Sequence, residues 1–580
     1  MDIIVFAKQI PEVGKIEFDE ATGRIRRDSV PLVTNAFDRR AIEEALRIRE
    51  RHGGMVTVAT MGPPSAEQVL RDAVLMGADA GFLITDRRYA GADTLVTSRI
   101  LAKFCGRVHY DAILMGKYSL DGETSQVPPE VAEMLGVPFR SSVSRIDTDG
   151  GGSAVVEVEN ELGKADYRVT LPALFSVSEK INRARGPARE IQDFTPFLTV
   201  LGEDELRTGV SGADSPTAVV GTERIDSSRN VRMLQLNDES IDLLIRIAAE
   251  AAVRAGPEKL EPYSGRKEGE IWGVAIDDPD TAMEIAAQIS RLSHQAKLLV
   301  RMIGTLDPGR LTGMSCTEYM HTGTAGNATV ADRLCSLIAE ERPDHIIFPS
   351  TVNGREIAAT VAARLGLGLT ADCIDLKVED GKLVQFKPAF GGGVVARILS
   401  KTSPQMATVR PGAMKAGVSA SPFRVMDIGV GDTGDERPLS FRGRDTAYRS
   451  MASSSVVIGI GRGIGGRERM PEVMHLASLL GAAVGGTRPV VDAGYMPVQQ
   501  QIGLTGYSIA PGLYIALGIS GRDNHMVGVR YAGCIAAVNS RSDAPIFRYA
   551  DYGMVADMYD FIARMTARLE GASAGQRHIT

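Results

Sequence analysis

Short apolar runs alternate with segments whose apolar residues recur every three or four positions along the first part of the chain. Residues 2–7 (DIIVFA) predict a short strand, followed by a polar loop over 8–29. Asn35 and Asp38 then offer N-cap groups to a helix in which Ala41, Ile42, Ala45, Leu46 and Ile48 follow the helical period. The alternation continues with a strand at 56–60, the turn Gly62-Pro63-Pro64-Ser65 and a helix carrying Val69, Leu70, Ala73 and Val74. A strand at 81–85, a helix over 93–105 and a strand at 112–115 complete the series. Such a βαβ series predicts a parallel sheet covered on both faces. Next comes GKYSLDGETSQVPPEVAEMLGVPF (116–139), a Gly/Ser/Thr-rich loop ahead of a helix predicted over 131–135. Free backbone N–H groups and the positive end of a helix suit a phosphate there, and the same letters also suit an ordinary strand-to-helix turn.

The pattern then recurs. Asp111-Ala112-Ile113-Leu114, Leu135-Gly136-Val137 and LPALFSV (171–177) reappear as Asp344-His345-Ile346-Ile347, Leu365-Gly366-Leu367 and SPQMATV (403–409). The offset is nearly constant at about 230 residues, so one architecture occurs twice. Between the copies, stretches rich in Gly, Ser, Pro and acidic residues (202–229 and 257–269) flank an amphipathic helix over 240–254, a composition that predicts a linker with one docking helix. The second copy starts at IWGVAI (271–276) and ends near Pro411-Gly412, and a joint over 413–455 leads to a third domain. There a strand at 456–460 runs into Gly461, Gly463 and Gly466 in G-x-G-x-x-G spacing, with Pro471 placed to open the next helix. A glycine-rich turn produces that spacing by chance, so it does not define a nicotinamide dehydrogenase.

Composition narrows the function. A chain of 580 residues exceeds one core. Its net charge of -7 gives no electrostatic footprint for nucleic acid or an anionic membrane. The five cysteines lie far apart with no C-x-x-C, so neither a zinc ribbon nor a cysteine-ligated iron–sulfur cluster is encoded and no metal is expected. Redox chemistry would need an organic cofactor. No segment reaches the roughly 18 uninterrupted apolar residues of a membrane span, and the start MDIIVFAKQIPE lacks a signal-length apolar run, so a cytoplasmic protein that is not integral to a membrane is expected.

Residues 485–552 place glycines, hydroxyls, Arg488 and His525 between short apolar strands, the mix needed where backbone approaches a polar ligand. This stretch resembles the flavin-binding domain in the alpha subunit of electron transfer flavoproteins, on the motifs GRG, GGTRPVVDAG, QIGLTG, PGLYIALGISG, AVN and DAPIFRYADYG. The resemblance extends over nearly the whole chain. Its alpha-like part also holds PSTVNGREIAATVAARLGLGLTADC (349–373), KPAFGGGVVARI (387–398) and ATVRPG (407–412). Its beta-like part, which comes first, holds FAKQIPE, NAFDRRAIEEALR, MGPP, GKYSLDGETSQVPPEVAEMLG and LPALFSV.

The resemblance implies an α/β fold with two related adenine-nucleotide-hydrolase-like parallel-sheet domains plus a C-terminal Rossmann-like FAD-binding domain. The implied boundaries are 1–260 for the beta-like domain with its linker, 268–420 for the alpha N-terminal-like domain and 450–575 for the FAD domain. Family FAD contacts fall on Arg462, Gly463, Thr487, Arg488, Ile502, Gly503, Leu504, Thr505, Ser520, Gly521, Arg522, Asp523, Asn524, His525, Asn539 and Asp551. Arg488 would favour the electron-rich reduced ring near its N5/C4 edge, Thr505 would donate to N5, and His525 would donate near N1/C2. Asn539 and Asp551 would serve the adenosine or ribose. The family often has Gln, Lys and Ala-Ile-Gln where this chain has Leu504, Tyr507 and Arg522-Asp523-Asn524, so the side-chain contacts to the ring and the potential are expected to differ.

A second nucleotide pocket would be lined by Ala7, Asn35, Ala36, Phe37, Asp38, Met61, Gly62, Ser119, Asp121, Gly122, Glu123, Thr124, Ser125, Gln126 and Val127. One-flavin members hold AMP there; electron-bifurcating members hold a second FAD with NADH docking beside it. The run 121–127 is closer to the Asp-Gly-x-Thr-Ala-Gln-Val of bifurcating members than to the Asn-Gln-Thr-Gly of AMP binders. The resemblance implies a soluble carrier taking electrons from flavin dehydrogenases, such as acyl-CoA dehydrogenases, or from NADH, and passing them to a quinone oxidoreductase or another redox acceptor. Whether it is an enzyme depends on NADH oxidation. Readings of other classes are an adenine-nucleotide hydrolase or ligase, for which the P-loop G-x-x-x-x-G-K-[ST] is missing, and a nucleotide-binding scaffold without electron transfer.

Overall fold

A computed structural model describes residues 1–12, 31–224, 229–254, 258–389, 394–429, 438–443, 451, 454–497, 500–503, 506–507 and 509–577. The chain forms two compact units, the first from Met1–Glu223, Lys259–Phe390 and Val394–Arg444, the second from Arg224–Glu258 and Asp445–Thr580.

Both copies of the repeat lie in the first unit, and seven strands of each sheet run in the same order, the first sheet continuing through Ser153–Glu159, Gly163–Thr170 and Ser440–Gly443. In the first copy the order is Leu198–Leu201, Ala80–Ile84, Val56–Met61, Ile3–Phe6, Ala112–Gly116, Ala173–Val177, Phe139–Thr148. In the second it is Arg424–Asp427, Glu318–His321, Leu298–Gly304, Gly269–Ala275, His345–Pro349, Gln405–Val409, Leu369–Cys373. Each of the central strands Ile3–Phe6 and Ala112–Gly116 is buried at every position, as a strand covered on both faces must be. Successive side chains alternate between faces, so Ile3 and Val5 join Ala41, Ile42 and Leu46 in one core while Ile4 and Phe6 join Val96, Ile100 and Phe104 in another.

Two expectations change. The helix predicted over 131–135 begins at Val127 and runs to Leu135, because Pro128 and Pro129 are tolerated in a first turn where N–H groups have no intrahelical partner. Asn35 stands at the N-cap position of the helix Ala36–His52, but its side chain makes no capping hydrogen bond, and the Asp38 side chain is engaged elsewhere. The Asn35 amide donates to Tyr118 O (3.0 Å) and accepts from Leu120 N (3.3 Å), while the Asp38 carboxylate accepts from Lys8 N (2.9 Å) and Gly116 N (3.1 Å). Both are cross-links between distant strands and loops.

The Glu130 side chain is buried between the helices Val127–Leu135 and Thr94–Cys105, where it accepts from Ser98 Oγ (2.7 Å) and Thr94 Oγ1 (3.2 Å). Burial pushes its carboxyl up to about 8 from 4.5. A raised carboxyl makes the folded state bind the proton more tightly, so stability is greatest below the unfolded value and falls as pH rises towards the folded one. Glu130→Gln is expected to remove a slope of up to about 1.4 kcal/mol per pH unit in that window, measured as urea midpoints from pH 5 to about 8.5.

The second unit is a parallel sheet in the order Ala483–Gly486, Val456–Ile460, Leu513–Leu517, Cys534–Asn539, Tyr552–Val555, Arg232–Leu234. The inter-copy segment thus supplies an edge strand as well as the helix Asp238–Arg254, whose Ile241, Leu244 and Ala248 enter this unit's core. Val456–Ile460 has its sequence successor on one side and Leu513–Leu517 on the other, which creates a topological switch point, where crevices open beyond the carboxyl ends of the strands. Among the described residues no helix is long and apolar enough to cross a membrane.

Candidate functional site

A cleft of about 670 Å³ opens at that switch point, a size within the usual range for cofactor pockets. Its floor is backbone. A Cβ on Gly461 would lie 2.1 Å from Gly518 O, and one on Gly463 would lie 2.8 Å from Gly518 Cα, so glycine is required where the two turns meet. Gly518 itself has φ +62°. The predicted residues Arg462, Gly463, Thr487, Arg488, Ile502, Gly503, Ser520, Arg522, Asn524, His525 and Asn539 line the cleft together.

Others do not. Gly521 packs against the turn Pro545–Tyr549, where a Cβ would meet Ile546 Cα at 2.3 Å, and is absent from the lining. Asp551 precedes the strand Tyr552–Val555 and so sits at the opposite end of the sheet, paired with Arg229 and accepting from Ile535 N (2.8 Å). Asp523 opens the short helix Asp523–Met526, and its side chain lies outside what is described. Leu504 and Thr505 lie outside the described residues. Sequence reasoning missed Gln501, Ser540, Arg541, Asp557 and Met558, of which the last four follow the carboxyl ends of the strands Cys534–Asn539 and Tyr552–Val555. That position, once the strand order is known, is the signal that finds them.

Four arginines line the cleft, Arg462, Arg488, Arg522 and Arg541, against one carboxylate, Asp557. Arg488 pairs with Asp492 (3.2 Å) and Arg541 with Asp543 (2.7 Å). Arg462 and Arg522 have no ion-pair partner among the described residues, which leaves two guanidinium groups for an anion. The Asn539 amide donates to Ile519 O (2.8 Å) and accepts from Arg541 N (2.9 Å), tying two lining turns together. His525 is buried, and burial lowers its ring to about 4 from 6.5, so it is neutral.

Comparison with known proteins agrees with this geometry. The electron transfer flavoprotein domain matches residues 22–196 and 321–429, and the electron transfer flavoprotein FAD-binding domain matches residues 450–530. The electron transfer flavoprotein subunit alpha of Thermoanaerobacterium thermosaccharolyticum is 39% identical over 312 residues, which cover 52% of this chain and 94% of that protein. Subunit beta of the same organism is 37% identical over 239 residues, covering 40% of this chain and 90% of that protein. The chain belongs to the electron transfer flavoprotein family. Protein FixB of Bradyrhizobium diazoefficiens is a further relative, 39% identical over 249 residues that cover 42% of this chain and 68% of that protein.

This electron transfer flavoprotein carries its beta-like and alpha-like parts in one chain, and the FAD-binding domain match at 450–530 takes in the strands Val456–Ile460, Ala483–Gly486 and Leu513–Leu517 of the second unit's sheet. The cleft fits FAD: the glycine turns allow backbone to approach a diphosphate, and Arg462 and Arg522 can neutralise it. Replacing either arginine by alanine is expected to weaken FAD binding by about ten- to a hundredfold with little change in melting temperature, measured by titration of the FAD-free protein.

In the beta-like part Ala7, Met61 and Gly62 of the predicted second pocket follow or end the strands Ile3–Phe6 and Val56–Met61, again beside a switch point. Ala7 continues the first of these strands, Met61 and Gly62 end the second, and Ala36 opens the helix beside them. The Phe37 ring packs edge-on against Tyr118, 4.8 Å between centroids. Asp38 is pushed up to about 7 by burial, against the pull of its two backbone N–H donors and Lys8. Lys8 Nζ reaches Asp121 (2.7 Å) and Ser119 (3.4 Å).

One difference between the copies lies beside the predicted second pocket. In the second, the helix Val352–Leu365 begins just after the strand His345–Pro349 ends. In the first, residues 117–126 form an irregular loop with positive φ at Glu123 (50°) and Ser125 (56°) before the helix starts. Gly122 N turns back to Asp121 Oδ1 (2.8 Å) and Gln126 N to Thr124 Oγ1 (3.5 Å). The Gln126 amide is committed to Leu369 O (2.9 Å) and Thr94 (2.8 Å), and Val127 packs into the core, so both hold the loop's end. Across the seam between copies, Arg355 donates to Ser125 Oγ (3.3 Å) and to Asp372 (2.9 Å), and Arg410 also pairs with Asp372. Lys387 is buried beside them, giving three cations against Asp372 and Glu123.

Proposed function

We propose that this electron transfer flavoprotein binds a second FAD in its beta-like part and accepts electrons either from flavin dehydrogenases such as acyl-CoA dehydrogenases or from NADH. It passes them to a quinone oxidoreductase or another redox acceptor in the cytoplasm, splitting the NADH electron pair by bifurcation. The observation that carries this reading is the opened loop 117–126, set beside Arg355, Lys387 and Arg410 where the second copy keeps a helix. An excess of cations at the loop's end suits an electron-rich ring edge as well as a phosphate.

FAD supplies one- and two-electron chemistry when bound. The chain's own residues do the rest. Arg462 and Arg522 would hold the diphosphate, Arg488 would supply positive charge at the ring and Asn539 would shape the adenosine end. His525 would serve the N1/C2 edge, and because both of its ring nitrogens have partners, donating there would require one bond to be released.

The cofactors released from native protein, separated by chromatography and counted per chain, test the reading. Two FAD and no AMP is the expected result. One FAD with one AMP replaces it by a simple carrier without NADH oxidation, and no FAD even after reconstitution overturns it.

A further inference from the structure

The N-terminus of the helix Val352–Leu365 in the second copy is taken up by a side chain of the first. Glu161 stands in the turn between the strands Ser153–Glu159 and Gly163–Thr170, and both of its oxygens lie 3.1 Å from Val352 N. The turn is fixed from within, because Asn160 Oδ1 accepts from Leu162 N (3.0 Å) and Gly163 N (3.1 Å). The positive end of the helix favours a carboxylate there.

A second carboxyl meets the same helix end. Asp277 follows the strand Gly269–Ala275, and its Oδ1 accepts from Asn353 Nδ2 (2.6 Å). Asn353 Oδ1 in turn accepts from Asn327 Nδ2 (3.1 Å), which fixes the Asn353 amide with its NH2 group towards Asp277. Asp277 Oδ2 is shut off from solvent and has no hydrogen-bond partner among the described residues. The charged groups it faces are Glu161 from the hairpin and Asp278 beside it, with Thr351 and Asn353 from the helix, and no basic side chain among the described residues pairs with it. A bare carboxylate oxygen there meets desolvation and repulsion together, and a carboxylic acid meets neither. Burial, with the Glu161 charge adding to it, pushes Asp277 up to about 7.

We propose that Asp277 and Glu161 form a proton-controlled latch: while Asp277 carries a proton, Glu161 docks the hairpin of the first copy on the second, and loss of that proton loosens it. The hairpin also carries the strand Ser440–Gly443, which pairs with Gly163–Thr170 and is bonded from Ser440 Oγ to Asp166 (2.6 Å) and from Arg442 to Glu157 (2.6 Å). That strand precedes the FAD-binding domain in the chain, so the latch sets how firmly the start of the connecting joint is held. A carboxyl raised in the docked state binds its proton more tightly there than in the released one. Docking is therefore strongest below the ordinary value of 3.8, weakens as pH rises towards 7 and levels off above it.

Hydrogen–deuterium exchange of the full chain, with each rate divided by its intrinsic value at that pH, tests the latch. From pH 5 to pH 7, residues 153–170 and 440–443 of wild type are expected to lose at least about tenfold more protection than those of Asp277→Asn, and the difference should stay level above about pH 7.5. Asparagine is neutral throughout and tolerates the φ of +68° at this position. An equal loss in the two proteins overturns the proposal, because the proton on Asp277 then plays no part. No loss in wild type overturns it as well, and that measurement needs no folded variant.

Discussion

Gly461→Val is expected to give a protein that retains less than a tenth of the wild-type FAD in its C-terminal cleft. The added Cβ would lie 2.1 Å from Gly518 O, 2.6 Å from Gly518 C and 2.7 Å from Ile519 Cα, all backbone atoms that no rotamer change can move. Gly461 has φ -103°, so the demand is for space and not for an unusual backbone conformation. Relieving the clash must push the turn after Val456–Ile460 away from the turn after Leu513–Leu517, and those two turns are the floor of the cleft. Overpacking of this kind costs about 1–3 kcal/mol in stability. The loss of ligand is larger, because the groups that would meet the diphosphate are displaced together. Flavin absorbance per chain after purification, with a melting curve to confirm folding, measures it: loss of the C-terminal FAD with the second FAD kept brings the flavin per chain down to about half that of wild type.

Asp372→Asn is expected to destabilise the first unit by about 3–5 kcal/mol, the range for removing one partner of a buried ion pair. Asp372 is buried and accepts from Arg355 Nη2 (2.9 Å) and Arg410 Nε (3.2 Å), and these cations hold its carboxyl well below the usual range. It also has φ +64°, which asparagine tolerates about as well as aspartate, so this variant isolates the charge. A depressed carboxyl contributes stability above its unfolded value that is lost as pH falls through the folded one. The difference between wild type and variant in urea midpoint should therefore be constant above about pH 5 and shrink below the ordinary value of 3.8. The three cations left around one carboxylate, Glu123, should also disturb the loop 117–126, visible as altered retention of the second nucleotide.

The local pattern carried much of the architecture. Alternating apolar runs and helical periods predicted the βαβ series, and the shared offset predicted the repeat that the matching strand orders show. Gly461 and Gly463 belonged to a spacing that a glycine-rich turn produces by chance, and it is the structure that shows nothing else fits where their turn meets Gly518. The letters failed where a side chain's partner is distant. Asn35 and Asp38 are good capping residues by type, yet their oxygens and amide go to Lys8, Gly116, Tyr118 and Leu120. Asp551 belongs to a flavin-domain motif but stands at the far end of its strand, facing Arg229. The linker segment looked like a tether because of its Gly, Ser, Pro and acidic stretches, and its three residues Arg232–Leu234 become an edge strand only through pairing with Tyr552–Val555.

By itself the sequence determined the α/β class, the doubled domain, the glycine turns and the flavoprotein motifs, because periodicity and required glycines are properties of neighbouring residues. Only the tertiary structure decided which cleft arginines have no ion-pair partner among the described residues, that His525 is bonded at both nitrogens, and that the seam cations meet Glu123 and Asp372. Those depend on which side chains from remote segments come within a few ångströms in a site shielded from water, where one partner decides charge, tautomer and availability.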